Sequence, residues 1–596
     1  MKTLTIKTGE GTTLLRRMAG WQTQPLRKMT GEGKTHRNRW GTQIMIILAF
    51  IALHVVAYGA DKYIKVGGNN ANSGNDWANA WAHPNYTNGV VTYGTNIIIG
   101  PGRYDTVAVI PTVGGLTFKC AELYDDADSG RVSTILSSGI DLSGDFTLRT
   151  GSVYRYDVTV GPRWNTMVAD GRMAVTEDDS VLMSCTSLAA VDAAGKYFYD
   201  ASTDSLFVRC FASDDPDGHT MRFSQRPVVE LKNATNNITF YGLTLDMGYQ
   251  ATVILTYSES ATSAADSITI YGCIVQNTSG YGGGVNPALI YSGNTTGGTP
   301  SNEDEWSQRN LFRNLILRHS KANSSDYSGG AAFDFYAVQK SRIDSCTIWD
   351  CYGGPFMLKY GSSGAEQADS LTIADNFCVG GRASLWSSGR IKNLLVTRNY
   401  LLSATTYAID IHSTSANGPY ESINILNNTI WNGGSGANIV IAPEAAGSCN
   451  IKYNMLFDST TQASSTILFD IQSGEAPEQH PLTCTYYTID YNLYYFGSGS
   501  FVAGNDYTTP SAGDSACSYL GSSFANHQAN GFDVHSSVSN PKFLQSQTAT
   551  VSGLSRPNSS AEMNVTYDGR NHTLFGAWQP TESGSESTLK VKVKVR

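Results

Sequence analysis

One phrase that returns along the chain limits what it can fold into more than any other feature. Ser422–Asn432 reads SINILNNTIWN: Ile423 and Ile425 alternate inward, Asn427 and Asn428 form a corner, and a second short apolar run begins at Thr429. Taking the inward residue three places before the corner as a marker gives Phe240, Ile270, Phe312, Ile343, Ile373, Val396, Ile425, Ile451 and Ile489. The steps between markers are 30, 42, 31, 30, 23, 29, 26 and 38 residues. A period in this range, carried by short β-branched strands, specifies a β-solenoid in which each turn buries its apolar side against its neighbours.

The corner position adds a second register. Three residues after each marker stand Leu243, Cys273, Leu315, Cys346, Asn376, Asn399, Asn428, Asn454 and Asn492, so five consecutive turns end in Asn. Asn tolerates the left-handed backbone that a sharp bend needs, and stacked amides can hydrogen-bond along the axis. This pattern resembles the asparagine ladder of right-handed parallel β-helix proteins of the pectate-lyase-like superfamily. The resemblance spans about residues 61–580 and implies an all-β, right-handed parallel β-helix. It is specific for the fold and not for a reaction.

Composition agrees with that class. Only 16% of the 596 residues are charged, while 59 are glycine and 32 tyrosine. Few charges, many turn formers and many aromatics suit a secreted all-β protein. No amphipathic helical run of useful length follows residue 60. The net charge is −9, but the first 60 residues hold nine basic and two acidic side chains, which leaves −16 on the remainder. An acidic body argues against nucleic acid as a partner. It also counts against a polyanionic ligand unless a cation or a local basic patch overrides the global field. None of the ten cysteines forms a CxxC pair, so neither a zinc ribbon nor a thioredoxin motif is supported. Buried free thiols, or bridges such as Cys185–Cys210, both stay open.

In chain order, residues 1–60 read as a signal peptide with an over-long extension. Ile44–Ala57 is an apolar run too short to favour a spanning helix, flanked by Lys34, Arg37 and Arg39. Met29 is the best candidate for a later start, with cleavage after Gly59 or Ala60; an uncleaved anchor is the alternative. Either way the body is expected outside the cytoplasm, secreted or at the cell surface.

Residues 61–138 form an expected cap and first turns. Tyr63–Trp81, YIKVGGNNANSGNDWANAW, resembles the opening motif of many secreted β-helix proteins, and Asn96–Tyr104 follows as a first turn. A cap protects the open edge of a solenoid. Residues 139–226 interrupt the repeat with Met167–Arg172 (MVADGR) and Lys196–Arg209 (KYFYDASTDSLFVR), which alternate around turn residues. This resembles a β-rich lobe inserted into carbohydrate-active β-helix enzymes. Repeats fill 227–545, and 546–596 is a closing segment and tail. There Phe575–Gln579 resembles a last turn, and Lys590–Arg596 is either a charged edge strand or a tail.

In the superfamily, ligands usually lie along one parallel sheet. Its strands are expected here at Ala332–Tyr336, Phe356–Lys359, Leu385–Ser388, Ala408–His412, Asn438–Ala442 and Ile467–Gln472. With Phe333, Phe335, Phe356, Leu358, Ile409, Ile411, Phe469 and Ile471 inward, alternation turns Asp334, Tyr336, Met357, Lys359, Trp386, Ser388, Asp410, His412, Asp470 and Gln472 outward.

That face suits an eliminating lyase acting on a uronic-acid glycan. Such a lyase needs a base for the C5 proton, a donor for the leaving oxygen and a cation at the carboxylate. The candidates are Lys359 as base, Tyr336 or His412 as acid, and Arg382 or Arg390, in flanking loops, at the carboxylate. Trp386 and Gln472 would bind sugar, and Asp334 and Asp410 could hold Ca²⁺, which takes oxygen ligands. A hydrolase needs carboxylates about 5–5.5 Å or 6.5–9.5 Å apart. Asp334 and Asp410, three turns apart, stand roughly 14 Å from each other, and Asp410 with Asp470 is borderline. Arg390-Ile391-Lys392 matches one motif of the polygalacturonase family, whose other motifs are absent. The residues leave open a second class: a monomeric carbohydrate-binding or adhesin-like solenoid whose ladder supplies only stacking and hydrogen bonds.

Overall fold

The computed structural model describes residues 59–122, 133–142, 144–157, 173–231, 235–255, 265–280, 287–293, 307–322, 329–336, 338–359, 367–387, 390–402, 404–411, 421–431, 437–441, 448–458, 465–469, 487–496, 503–505, 524–529, 532–538, 561–566 and 588–593. Ile44–Ala57, Met167–Arg172, His412, Gln472, Asp470, Ser388 and Phe575–Gln579 lie outside these residues. No helix among them is long and apolar enough to cross a membrane.

The chain coils into three long parallel sheets. The markers form the spine of the first: Phe240 pairs Ile270, then Phe312, Ile343, Ile373, Val396, Ile425, Ile451 and Ile489 follow, each opposite the last. Two further residues extend that spine toward the N-terminus, Phe118 opposite Phe240 and Ile97 opposite Phe118. All are fully or almost fully buried in one continuous apolar core. β-Crossovers between parallel strands are right-handed, which makes the coil a right-handed parallel β-helix.

The corner from the first sheet to the second is closed by side-chain amides. Asn376 Nδ2 donates to Asn399 Oδ1 at 2.9 Å, Asn399 to Asn428 at 3.0 Å, Asn428 to Asn454 at 3.1 Å and Asn454 to Asn492 at 3.2 Å. Each Oδ1 also accepts the backbone N–H of the preceding Asn, and each Nδ2 reaches a carbonyl of the turn before. The amides of this column are thereby satisfied, which a low-dielectric interior requires.

A second column turns the chain from the second sheet toward the third. Met247, Asn277, His319 and Asp350 all take positive φ, between 51° and 66°, and the strand register steps over each of them. These are stacked left-handed bends, and three of the four are residues that bear that region at low cost.

The third sheet includes Val229–Leu231, Ala251–Leu255, Ala288–Ser292, Ala331–Tyr336, Gly354–Lys359, Ala383–Ser387, Tyr407–Ile411, Ala437–Ile441 and Ser465–Phe469 in spatial order. Several strands begin one or two residues before the expected positions, because a glycine or alanine at the turn already pairs. Gly354 shows why small residues stand there. Its φ is +127°, and a Cβ would sit 1.8 Å from the Ala383 carbonyl oxygen of the next turn.

Residues 140–224 interrupt the coil without breaking its register. Thr134–Ser137 pairs directly with Thr244–Asp246, so the turns before and after are consecutive. The interruption folds into one antiparallel and one mixed sheet around its own core, which includes Tyr156, Tyr197, Leu206, Val208, Met221 and Phe223. Lys196–Asp200 and Ser205–Arg209 form a hairpin whose turn is held by Asp200, which accepts from the Ser202 amide and the Thr203 hydroxyl.

At the N-terminal end, Trp81 bridges to Ile64, and its ring and backbone press against Gly74 and Gly68. At the C-terminal end, Thr588–Val593 pairs antiparallel with Ala561–Thr566. All eight described cysteines are free thiols, Cys185 and Cys210 among them. Cys484 and Cys517 lie outside the described residues.

Candidate functional site

Alternation puts the expected side chains on the outer face of the third sheet, and the pairing fixes two columns. Tyr291 faces Asp334, Asp334 faces Met357, Met357 faces Trp386, and Trp386 faces Asp410. Beside that column, Tyr336 faces Lys359. Phe333, Phe335, Phe356, Leu358, Ile409 and Ile411 point the other way, into the core. Phe333 and Phe356 stack there with ring centroids 5.8 Å apart.

The outer face is not the open, solvated surface that alternation alone suggests. Asp334 is 0% exposed, Asp410 4% and Lys359 8%. Ala251, Ile254, Ala288, Tyr291, Ala331 and Met357 form a small apolar layer here, with Tyr336 and Trp386 half-buried at its margin. Ile254, Tyr291 and Met357 place apolar bulk in the outward column, and large neighbours close over the small ones.

Within this layer Lys359 Nζ lies 2.6 Å from Asp334 Oδ2. A buried charge needs such a partner, because desolvation of either ion alone is costly. Lys359 Nζ also sits 5.5 Å from the centre of the Tyr336 ring, and Tyr336 packs tilted against Tyr291 at 5.8 Å. The structure thus gathers Asp334, Tyr336 and Lys359, with Tyr291 as a fourth member. Tyr291 escaped the sequence reading because the third-sheet strands before residue 331 were not identified there. Its signal was an outward aromatic in Ala288–Ser292, one strand before Asp334.

Other candidates are dispersed. Asp410 is three strands from Asp334, with Met357 and Trp386 between them, so the two carboxylates do not converge on one cation. Trp386 lies directly between Met357 and Asp410 in the ladder. Arg382, half-buried, stands in the turn before Ala383–Ser387, its amide donating to the Tyr352 carbonyl and its carbonyl accepting from Thr406. Arg390 departs from expectation. It is not in a loop but begins the strand Arg390–Thr397 of the first sheet, where it pairs Gln367. The preceding strand Gln367–Asp369 offers an edge that draws the chain into pairing early. His412 and Gln472, outside the described residues, have no geometry to compare.

No protein-family model matches this chain, and no curated protein matches it significantly. Solved structures do. The complex of XylC with xylose is 12% identical, with a TM-score of 0.44, over 75% of this chain and 84% of that one. The A-module of a mannuronan C-5 epimerase from Azotobacter vinelandii is 10% identical, TM-score 0.33, over 69% and 84%. A pectate lyase is 11% identical, TM-score 0.33, over 68% and 78%.

Proposed function

We propose that the protein works outside the cytoplasm on a polysaccharide bound along the outer face of the third sheet, as a lyase-like enzyme of uronic-acid glycans. The observation that carries this reading is the buried Lys359–Asp334 ion pair beside the Tyr336 ring, in a layer bordered by Trp386. Half-buried aromatic rings offer flat apolar faces to sugar rings, and a carboxylate such as Asp410 beside Trp386 accepts from hydroxyls.

The ion pair changes the role that fits Lys359 best. An amine held against a carboxylate is a positive charge, suited to neutralise the uronate carboxylate and so loosen the C5 proton. Tyr336, on the adjacent strand, then protonates the leaving oxygen. The base is assigned to His412, which follows Ile411 directly in sequence. The base takes the C5 proton, the electron pair forms the C4–C5 double bond, and the C4–oxygen bond breaks. Arg382 at the turn adds positive charge. The carboxylates Asp334 and Asp410 do not meet, and Asp334 is held by Lys359, so the two do not form a Ca²⁺ site.

The test is ultraviolet absorbance of an unsaturated uronide across a panel of uronic-acid polymers, with and without Ca²⁺. Activity that is lost in both Tyr336→Phe and Trp386→Ala supports the site. Reducing sugar released without new absorbance would replace elimination by hydrolysis. Glycan binding without product would leave a carbohydrate-binding solenoid, and no binding at all overturns the proposal.

A further inference from the structure

The inserted sheets bring together a second set of side chains, remote in sequence from the third-sheet face. Glu177 ends the strand Ala174–Glu177, which pairs with Met221–Ser224 so that Glu177 faces Met221. Cys210 follows the hairpin strand Ser205–Arg209, and the chain from Cys210 to His219 loops back to the same point. One ligand atom each from Glu177, Cys210, Asp214 and His219 lies within 4.8 Å of all the others. Glu177 and Cys210 are buried, while Asp214 and His219 close the outer side.

We propose that Glu177, Cys210, Asp214 and His219 form a structural zinc site that staples the Cys210–His219 loop to the strand Ala174–Glu177. Three observations converge on it. The first is the donor set: a thiol, an imidazole and two carboxylates are the ligands that zinc takes, and four of them fill a tetrahedron with no position left for substrate. Hard cations such as Ca²⁺ have no use for the sulfur.

The second is the second layer around the histidine. His219 Nδ1 is 2.7 Å from Asp178 Oδ2, and its Nε2 is 3.0 Å from Asp214 Oδ1. Asp178 therefore fixes the ring through Nδ1 and leaves Nε2 facing Asp214, the carboxylate–histidine arrangement that accompanies zinc. Asp178 is itself fixed, its Oδ1 accepting from the Thr220 amide at 2.8 Å. The gap between Nε2 and Asp214 Oδ1 suits two neighbouring ligands on one small ion.

The third is charge. Glu177 Oε2 accepts from the Phe211 amide at 2.8 Å, and its Oε1 stays on the histidine side, 3.7 Å from Nδ1. Glu177 and Cys210 are both buried. Two buried acidic groups held against one another are reconciled by a divalent cation. On binding, the Cys210 S–H proton passes to solvent as the sulfur–zinc bond forms. The spacing Cys-x3-Asp-x4-His carries the site in sequence, but a search for CxxC pairs passes over it.

The experiment uses the purified full chain. After incubation with zinc chloride and dialysis, metal analysis is expected to find about one equivalent per chain. With Co²⁺ in place of zinc, a thiolate-to-cobalt charge-transfer band is expected in the near ultraviolet. Cys210→Ser should remove that band. Asp214→Asn, on the exposed loop, should weaken zinc in competition with a chelator by at least about tenfold, and Asp178→Asn by about tenfold while keeping the band. Asp214→Asn and Asp178→Asn serve if Cys210→Ser does not fold. Substoichiometric zinc in the wild type overturns the proposal, as does a cobalt band that survives Cys210→Ser or zinc affinity unchanged in Asp214→Asn.

Discussion

Asp334 and Lys359 meet diagonally across two turns of the coil. In the ladder Asp334 faces Met357 and Lys359 faces Tyr336, yet the carboxylate and ammonium reach each other at 2.6 Å. Their side chains are 0% and 5% exposed. The diagonal neighbour on one face of a parallel ladder is within reach of a lysine, so the ion pair adds a tie along the sheet as well as across it.

This pair predicts an asymmetry between single and double substitutions. Lys359→Ala strands a buried carboxylate and is expected to cost about 3–5 kcal/mol. The double variant Asp334→Asn/Lys359→Met replaces both charges at similar volume and should lie within about 1.5 kcal/mol of wild type. Denaturant unfolding of the three proteins checks it; a single variant no less stable than the double would mean that the pair is not dry. The same asymmetry makes Lys359→Ala a poor probe of catalysis, since lost activity would mix with lost stability.

The asparagine column predicts a second contrast. Asn428 gives one N–H to Asn454 and one to the Val396 carbonyl, and accepts from the Asn399 amide, all in the buried corner. Asn428→Ala removes these bonds and orphans buried partners on both neighbouring turns, at an expected cost on the order of 3 kcal/mol. Asn450, half-buried on the first sheet, donates to Asn424 through its side chain, and Asn450→Ala should cost about 0.5 kcal/mol. Equal melting-temperature shifts for the two variants would deny the corner its role.

The spine of the coil was readable because periodic burial leaves a periodic trace. Each of the nine markers pairs with the next, and the inward set Phe333 to Ile411 lies in the core, since strand alternation has a fixed period of two. Alternation names a face but not what covers it. Ile254, Tyr291 and Met357 share the outward column with Asp334, and their apolar bulk closes the layer that the residues Asp334, Lys359 and Asp410 alone would have left wet. The lean of Lys359 toward Asp334 is a rotamer property, with no counterpart in spacing. Arg390 was misplaced because a strand that starts early on a neighbour's edge looks like loop in sequence. The Glu177–His219 cluster depends on an antiparallel register, Glu177 opposite Met221, which no repeat announces.

Acid sensitivity is expected at the stacked left-handed bends. His319 Nδ1 lies 2.8 Å from Asp350 Oδ2, and Lys321 reaches the other oxygen of the same carboxylate. Burial holds the His319 imidazole below its ordinary 6.5, and the charges of Arg318 and Lys321 push the same way against the Asp350 bond. For Asp350, burial raises the carboxyl, but the His319 hydrogen bond and the Lys321 charge outweigh it and leave the group below 3.8. Both groups therefore bind fewer protons folded than unfolded, so stability rises with pH through both ranges. His319 adds no cost above pH 6.5 and a growing one as pH falls below it. Asp350 contributes stability above pH 3.8 that is lost as pH falls through its lower folded value. The melting temperature should therefore drop in two stages on acidification. His319→Asn keeps a polar partner for Asp350 and tolerates the positive φ of that position, +62°. It should flatten the first stage and leave the second. Melting curves that fall in parallel for wild type and His319→Asn below pH 6.5 would place the proton uptake on other groups.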